Sequence, residues 1–209
     1  MNRLYVQFGC GLSNPTSFIN FDSSPNLYFQ RHSLFKLFWR HRVTYPEGIQ
    51  FGDIIEGLPI EHNSLQGIYS SHVLEHLSYN NCIKALRNSF LYLKPGGVFR
   101  CVLPDLEQLV KAYLQERGED NVNAASRFME YTFLGYKHRP QTILELIRWK
   151  YTYDTHFWMW DHESLTGELL KVGFKSVVKS GYGKSVDPTF NEAEDKSRFF
   201  SSLCLEAIK

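Results

Sequence analysis

A near-continuous apolar segment, VFRCVL at residues 98–103, lies between two segments with helical periodicity. The first helix is predicted over roughly 79–93, and the KPGG sequence that follows ends it because glycine readily adopts positive φ. The second helix begins at Pro104-Asp105 and ends at Gly118. A strand that is apolar at successive positions is typical of a parallel sheet with both faces buried. The sequence therefore predicts an α/β fold.

Strands and helices alternate along the rest of the chain. Further strands are predicted at residues 4–8, 18–21, 48–54 and 67–71, and closing strands lie within KSVVKSGYG and SSLCLEAIK. The last segment alternates apolar residues with Cys204 and Glu206, which is typical of a half-exposed antiparallel strand. We predict a doubly wound, mainly parallel sheet with an antiparallel C-terminal strand, and such sheets bind ligands beyond the C-terminal ends of their strands.

The ends and the inner faces of two helices can also be predicted. Asp105 and Asp161 each stand at an expected N-cap, although Asp105 could instead orient a catalytic base, and Gly173 is expected to stop the helix that follows Asp161. Apolar residues recur at helical spacing after Asp105 and are expected to face inward. They are Leu106, Leu109, Val110 and Leu114.

Length and composition indicate one ordinary globular domain over residues 1–209. Lys and Arg (23) nearly balance Asp and Glu (22), so no positive field draws the chain to nucleic acid. The four cysteines form no C-x-x-C pair and are expected to be free, buried thiols in a reducing compartment. Neither a signal peptide nor an apolar run of membrane-spanning length is present, so we expect a cytoplasmic protein.

A glycine turn follows the first predicted strand, and a single acid ends each of the next two. Gly9 and Gly11 let the backbone approach a ligand closely, and Asp22 is placed to accept hydrogen bonds from ribose hydroxyls. Asp53 ends the next strand and could accept from an adenine amino group, or simply cap a turn. Asp22 follows Gly11 by eleven positions, and a third motif glycine is absent, which argues against a dinucleotide. A ligand with a ribose but no phosphate at that place, such as S-adenosylmethionine, fits better.

The sequence resembles the class I S-adenosylmethionine-dependent methyltransferases, and among them the small methyltransferase type 11-like group often found with bacterial cell-surface polysaccharide genes. The stretches that carry the resemblance are FGCG, FINFDSSP, FGDIIEGLPIEHNSLQGIYSSHVLEHL, LRNSFLYLKPGGVFRCVLPDLEQLVKAYL and WMWDHESLTGELLKVGF. The resemblance implies a Rossmann-like methyltransferase fold.

The resemblance also implies a set of cofactor-binding residues. Gly9 and Gly11 would border the methionine and ribose, Asp22 would hold the ribose, and Asp53 with the backbone of Ile54 would meet the adenine. Ser71 and His72 would lie near the reactive methyl group.

This sequence departs from the family pattern in two respects. Gln7 stands where an acid usually orients the cofactor's amino group. Only about nine residues link Phe8 to Phe18, so the usual first helix of a parallel crossover must be shortened to a turn.

Transfer of a methyl group to a hydroxyl requires a base, because the pKa of a sugar hydroxyl is far above neutrality. His72, His76 and His156 are the candidates for this base, and His72 and His156 are the predicted catalytic residues; each of the three could instead have a structural role. Glu75 and His76 are expected to cap the following helix. The eight histidines show no metal-ligand spacing, so no metal is predicted.

Residues 119–160 are rich in aromatic side chains and are predicted to form a helical insertion or lid over the acceptor. Aromatic faces stack on sugar rings, although some of these residues must pack against the sheet. The basic segment 31–42 leaves two interpretations open. It could contact an anionic membrane surface, or it could fold onto its own domain.

These features predict a methyltransferase that uses S-adenosylmethionine and acts on a small molecule or saccharide precursor, at oxygen. Two alternatives remain open: a catalytically silent module that binds the cofactor within a polysaccharide or secondary-metabolite assembly, and an NAD-dependent sugar enzyme.

Overall fold

The computed structural model describes residues 4–31, 43–135, 137, 141–143, 145 and 155–209. Its seven strands are β1 (Tyr5–Phe8), β2 (Phe18–Asp22), β3 (Ile49–Phe51), β4 (Leu65–Ser71), β5 (Leu93–Pro104), β6 (Ser176–Lys179) and β7 (Ser202–Ile208). Its α-helices are α1 (Pro25–Arg31), α2 (Tyr79–Tyr92), α3 (Leu106–Gly118), α4 (Ala124–Tyr131) and α5 (His162–Val172).

The strands form one sheet in the order β3-β2-β1-β4-β5-β7-β6. The pairs from β3 through β5 are parallel, and β7 runs antiparallel to both β5 and β6. This arrangement confirms the predicted fold class. The connection from Phe8 to Phe18 contains no helix, as the shortened crossover predicts.

The two faces of the sheet are covered differently. One face packs on α2 and α5 through the largest apolar cluster, which includes Leu86 and Leu165. The opposite face carries a smaller cluster around Tyr69 and Phe190, and Phe190 belongs to the short 3-10 helix Pro188–Glu192. Within the described residues, irregular segments therefore cover much of this second face, where α-helices would otherwise pack.

The strand β7 differs from its prediction in one respect. It is antiparallel as expected, but both of its faces are buried, and Glu206 is 1% exposed. Glu206 lies directly opposite Arg100 of β5 in the sheet register, and the two side chains form an ion pair at 2.9 Å. The charged residue of the alternating pattern is thus neutralised inside the protein instead of facing water.

Helix ends largely follow the sequence, but one helix face does not. Asp105 caps α3 through the backbone N–H of Glu107, Asp161 forms a capping box with Ser164, and Gly173 stops α5 with φ +124°. The predicted inward face of α3 is wrong, because none of its residues is buried and Leu114 is 60% exposed. Periodicity shows which face is apolar, but it does not supply a partner to cover that face.

Candidate active site

The chain reverses direction after β1 through a tight turn that contains two glycines. Gly9 and Gly11 have φ values of +61° and +55°, a region that favours glycine. A Cβ on Gly9 would lie 2.3 Å from Val73 Cγ2, whereas one on Gly11 would meet nothing within 4 Å. The turn is therefore closely packed at Gly9 and open at Gly11, where a ligand could approach the backbone.

Asp22, at the end of β2, holds this turn in place. Its carboxylate accepts hydrogen bonds from the backbone N–H groups of Gly11 and Ser24, each at 2.8 Å. Burial raises the pKa of Asp22, and this effect exceeds the lowering caused by these two hydrogen bonds and by a third from the Tyr45 side chain. The carboxylate predicted to bind ribose thus already serves the fold, although each oxygen keeps capacity for a further hydrogen bond.

Asp53 lies in the turn that follows β3, next to the end of β2. Its Oδ1 accepts a hydrogen bond from the backbone N–H of Ile55 at 2.8 Å, and Asn88 donates to the carbonyl of Ile54 at 2.7 Å. The backbone N–H of Gly52 donates to the carbonyl of Asp22 at 3.1 Å, which ties the two strand ends together. Asp22 and Asp53 are thereby held at neighbouring strand ends, as parallel pairing requires.

A cleft of about 1180 Å³ opens at the C-terminal ends of β1, β4 and β5. Its lining brings together five of the residues predicted for the site: Gly9, Gly11, Ser71, His72 and His156. The other three, Asp22, Asp53 and Ile54, do not line it. Tyr131, at the end of α4, belongs to the aromatic insertion predicted to cover the acceptor, whereas Arg198 is a contributor that the sequence did not single out.

The backbone and both ring nitrogens of His72 are engaged in contacts with neighbouring residues. His72 adopts a φ of +54°, its backbone N–H donates to Val102, and its Nδ1 forms an ion pair with Glu75 Oε1 at 3.1 Å. Its Nε2 lies 2.9 Å from the carbonyl oxygen of Arg198. Both ring nitrogens therefore face acceptors, which favours the doubly protonated imidazolium. Burial alone lowers the pKa of His72, but the contacts with Glu75 and Arg198 outweigh it and raise the pKa.

Three further side chains meet beside His72, and we call Glu75, His76 and His156 the ligand triad. One nitrogen or oxygen from each lies within 4.8 Å of the others. The rings of His76 and His156 are 4.8 Å apart at an interplanar angle of 78°. Burial lowers the pKa of His156, so its imidazole is neutral near pH 7.

The predicted capping role of Glu75 and His76 is wrong. The N-cap of α2 is Ser78, and His76 Nδ1 instead lies 2.9 Å from the carbonyl oxygen of Thr155. The carboxylate of Glu75 is 1% exposed and faces the histidines. Sequence spacing could not reveal this grouping, because Thr155 and His156 reach it from the far end of the aromatic insertion.

The aromatic insertion contributes to the cleft and to the core. Tyr131 and Phe133 line the cleft and are largely exposed, whereas Trp160 is buried and stacks on Tyr79. Residues 136, 138–140, 144 and 146–154 of this insertion lie outside the described residues, as do residues 32–42 of the basic segment 31–42, on which the membrane interpretation rests. The predicted lid over 119–160 stays a prediction.

Comparisons with known proteins agree with this architecture. Residues 7–179 match the family described as Methyltransferase domain. A comparison with curated proteins gives no match. Among solved structures, a Thermotoga maritima protein described as an S-adenosylmethionine-dependent methyltransferase, possible histamine N-methyltransferase, has a TM-score of 0.52 at 15% identity, with 98% of this chain and 81% of that chain covered. An S-adenosylmethionine-dependent methyltransferase from Archaeoglobus fulgidus gives 0.51 at 16%, with 98% and 85% covered.

The strand order, with β7 antiparallel between β5 and β6, and the cleft at the C-terminal edge match the class I methyltransferase architecture predicted above. The chain belongs to the Methyltransferase domain family, whose match spans most of its length. The predicted enzyme class and cofactor, a methyltransferase that uses S-adenosylmethionine, are confirmed by this membership. The NAD-dependent alternative has no comparable support. No helix within the described residues is both long and apolar enough to cross a membrane.

Proposed function

We propose that this enzyme transfers the methyl group of S-adenosylmethionine to a hydroxyl oxygen of a small molecule or saccharide precursor. The observation that carries this proposal is that a single cleft is lined both by the glycine turn and by His76, His156 and exposed aromatic rings. We propose that the cofactor lies at the open backbone of Gly11 and that the acceptor lies at the histidines and rings, which we call the aromatic end. The cleft volume of about 1180 Å³ exceeds the roughly 300–1,000 Å³ of a site for one drug-sized ligand. It can therefore hold an acceptor together with the methyl-bearing part of the cofactor.

The cofactor is proposed to bind along the glycine turn. The positive φ and open Cβ direction of Gly11 leave backbone free for the methionine and ribose, and Ser71 lies at the end of β4 beside them. Asp22 and Asp53 are proposed to accept from the ribose hydroxyls and from the adenine amino group, and Ile54 to contribute backbone to the adenine. The cofactor supplies the electrophilic methyl group, so the protein has to align the acceptor with it.

The acceptor is proposed to bind at the aromatic end. Tyr131 and Phe133 expose large ring areas toward the cleft, and such faces stack well on the apolar faces of sugar rings. The lining also contains the charged residues Glu192, Asp195 and Arg198, so the cleft suits a polar, hydroxyl-rich molecule better than a purely apolar one.

The two candidate histidines are proposed to act differently. His72 has both ring nitrogens engaged, so we assign it the task of positioning Glu75. His156 keeps an Nδ1 without a hydrogen-bond partner among the described residues, and it lines the cleft. We therefore assign to His156, within the ligand triad, the activation of the acceptor hydroxyl.

Turnover assays with matched acceptors test this function. The purified enzyme is incubated with S-adenosylmethionine and with matched sets of three acceptors. The members of each set differ only in carrying a hydroxyl, an amine or a methoxy group. Formation of S-adenosylhomocysteine is measured together with the mass of the product. We expect turnover with hydroxyl acceptors, saccharide precursors among them, and at least a tenfold loss in kcat/KM for His156→Gln. Methylation confined to amine acceptors would overturn the proposal.

The setting of this reaction in the cell is also a proposal. Four free, buried cysteines are what a reducing compartment favours, and we propose a cytoplasmic enzyme that serves polysaccharide assembly. Methylation of saccharide precursors in the assay above, with no turnover of unrelated hydroxyl compounds, is the result that would support this assignment.

A further inference from the structure

The ligand triad leaves buried polar atoms without partners. Glu75 is 1% exposed and His156 is 7% exposed. Within the described part of the chain, Glu75 Oε2 and His156 Nδ1 accept or donate no hydrogen bond. A buried polar atom without a partner costs free energy, so such atoms at one place call for an explanation. Here both belong to groups that can bind a metal ion, and both lie in the same cluster.

The neighbouring hydrogen bonds orient these groups as metal ligands are usually oriented. His76 Nδ1 lies 2.9 Å from the carbonyl oxygen of Thr155, and when it donates there it leaves the Nε2 lone pair free. His72 forms an ion pair with Glu75 Oε1, which holds the carboxylate and leaves Oε2 available. Backbone or charged groups thus fix two of the three members of the triad.

We propose that Glu75, His76 and His156 bind a divalent transition-metal ion of the Zn²⁺ type. Two imidazoles and one carboxylate are a ligand set of catalytic zinc and of mononuclear iron, and it leaves at least one coordination position open. Magnesium and calcium prefer all-oxygen ligand sets and fit less well. His76 and His156 both line the cleft, so the open position of the ion faces the acceptor end. The sequence shows no metal-ligand spacing because the third ligand is remote along the chain.

A metal ion bound to the triad would activate the acceptor hydroxyl, and this part of the inference rests on the proposed function. A hydroxyl oxygen bound to the ion has a lowered pKa, so its proton can leave to solvent near neutral pH. The oxygen then forms its bond to the methyl carbon as the sulfur–carbon bond breaks, and neutral S-adenosylhomocysteine is released. His156 acts as a ligand in this scheme, so it need not take the proton itself. The inferred acceptors are molecules whose hydroxyl can coordinate a metal.

Metal binding can be measured without any acceptor. Tag-free enzyme is treated with a chelator, and ZnCl₂ is titrated by calorimetry, with the absorption spectrum of bound Co²⁺ as a second readout. We expect one equivalent per chain, weakened about a hundredfold or more by Glu75→Gln or His156→Asn. His62→Asn is the matched control, because His62 is an exposed histidine outside the triad and its loss should not change binding.

The outcomes separate the metal from the methyl transfer. Affinity for S-adenosylhomocysteine, measured on the same samples, shows whether each variant is folded. Absence of stoichiometric Zn²⁺ binding, or equal binding by wild type and a folded Glu75→Gln variant, overturns the metal site and leaves the proposed function standing. Zinc binding at the triad, located by anomalous scattering in crystals, with no product from any hydroxyl acceptor, upholds the site and overturns the proposed function.

Discussion

The backbone N–H of Gly11 donates a hydrogen bond to the Asp22 carboxylate at 2.8 Å, and this bond closes the turn between β1 and β2. In most parallel sheets a crossover helix separates the two strands and packs over them. Here no helix lies between Phe8 and Phe18, so a buried carboxylate performs part of that structural task. Asp22 therefore combines a role in the fold with its proposed role at the ribose.

The two acidic residues at the strand ends are expected to respond differently to the same substitution. Asp22→Asn replaces an acceptor oxygen with an amide NH₂, so the N–H of either Gly11 or Ser24 loses its partner, at a cost of about 1–3 kcal/mol in unfolding free energy. Asp53→Asn keeps an oxygen for Ile55 and should change stability by less than about 0.5 kcal/mol. Its affinity for S-adenosylhomocysteine should nevertheless fall about tenfold, because a charged acceptor for the adenine is lost.

Urea unfolding and calorimetry with S-adenosylhomocysteine measure the two quantities for both variants. Unchanged affinity in Asp53→Asn would remove that residue from the site, and unchanged stability in Asp22→Asn would show that the turn does not depend on the carboxylate.

The two glycines of the turn offer a second matched pair. Gly9→Ala combines a positive φ with a Cβ placed 2.3 Å from Val73 Cγ2, so we expect a loss of about 3 kcal/mol in unfolding free energy. Gly11→Ala bears only the cost of the positive φ, roughly 1–2 kcal/mol, because its Cβ meets no atom within 4 Å. That Cβ would instead occupy space proposed for the cofactor. Thermal unfolding with and without S-adenosylhomocysteine should show Gly9→Ala as the less stable variant and Gly11→Ala as the one with a reduced ligand-induced shift in Tm.

The raised pKa of Asp22 predicts a specific dependence of stability on pH. Because burial raises the pKa of Asp22 above 3.8 in the folded state, the folded protein binds more protons than the unfolded chain between the two values. The contribution of Asp22 to stability is therefore fully present below pH 3.8 and is lost as pH rises through the folded-state pKa. The difference in unfolding free energy between wild type and Asp22→Asn, followed by urea unfolding from pH 3.5 to 7, should decrease with pH. An increase would mean that the hydrogen bonds from Gly11, Ser24 and Tyr45 outweigh burial.

Much of the fold follows from local sequence signals. The apolar segment 98–103 forms part of β5, and Asp161 and Gly173 bound α5 as their residue types predict. These signals are local, because each of them depends only on residues that are close together in the sequence. The burial of a residue depends on which distant segments pack against it, and two predictions of burial are wrong for this reason. Leu114 stays exposed, and Glu206, predicted to lie on an exposed face, is buried.

The site shows the same division. Gly9, Gly11 and the strand ends are recognisable because each follows its own strand. The grouping of Glu75 with His156, and the engagement of both nitrogens of His72, require contacts between segments that the sequence separates widely. His72 in particular looks available in the sequence because its two partners, Glu75 and the carbonyl of Arg198, reach it only after folding.

Arg100 is a charged residue within the apolar segment 98–103, and it is fully buried in the folded protein. Its guanidinium contacts Glu194 at 2.5 Å, Glu206 at 2.9 Å, Ser180 Oγ at 2.9 Å and the carbonyl of Gly181 at 2.6 Å.

Arg100→Met leaves two buried carboxylates without their cation, so we expect a loss of about 3–5 kcal/mol in unfolding free energy at pH 7. Urea unfolding at pH 7 would measure this loss. Lys111→Met, which removes an exposed cation paired with Glu107, is the matched control and should cost under about 1 kcal/mol. A deficit of similar size for both variants would show that the buried network contributes little beyond an ordinary surface pair.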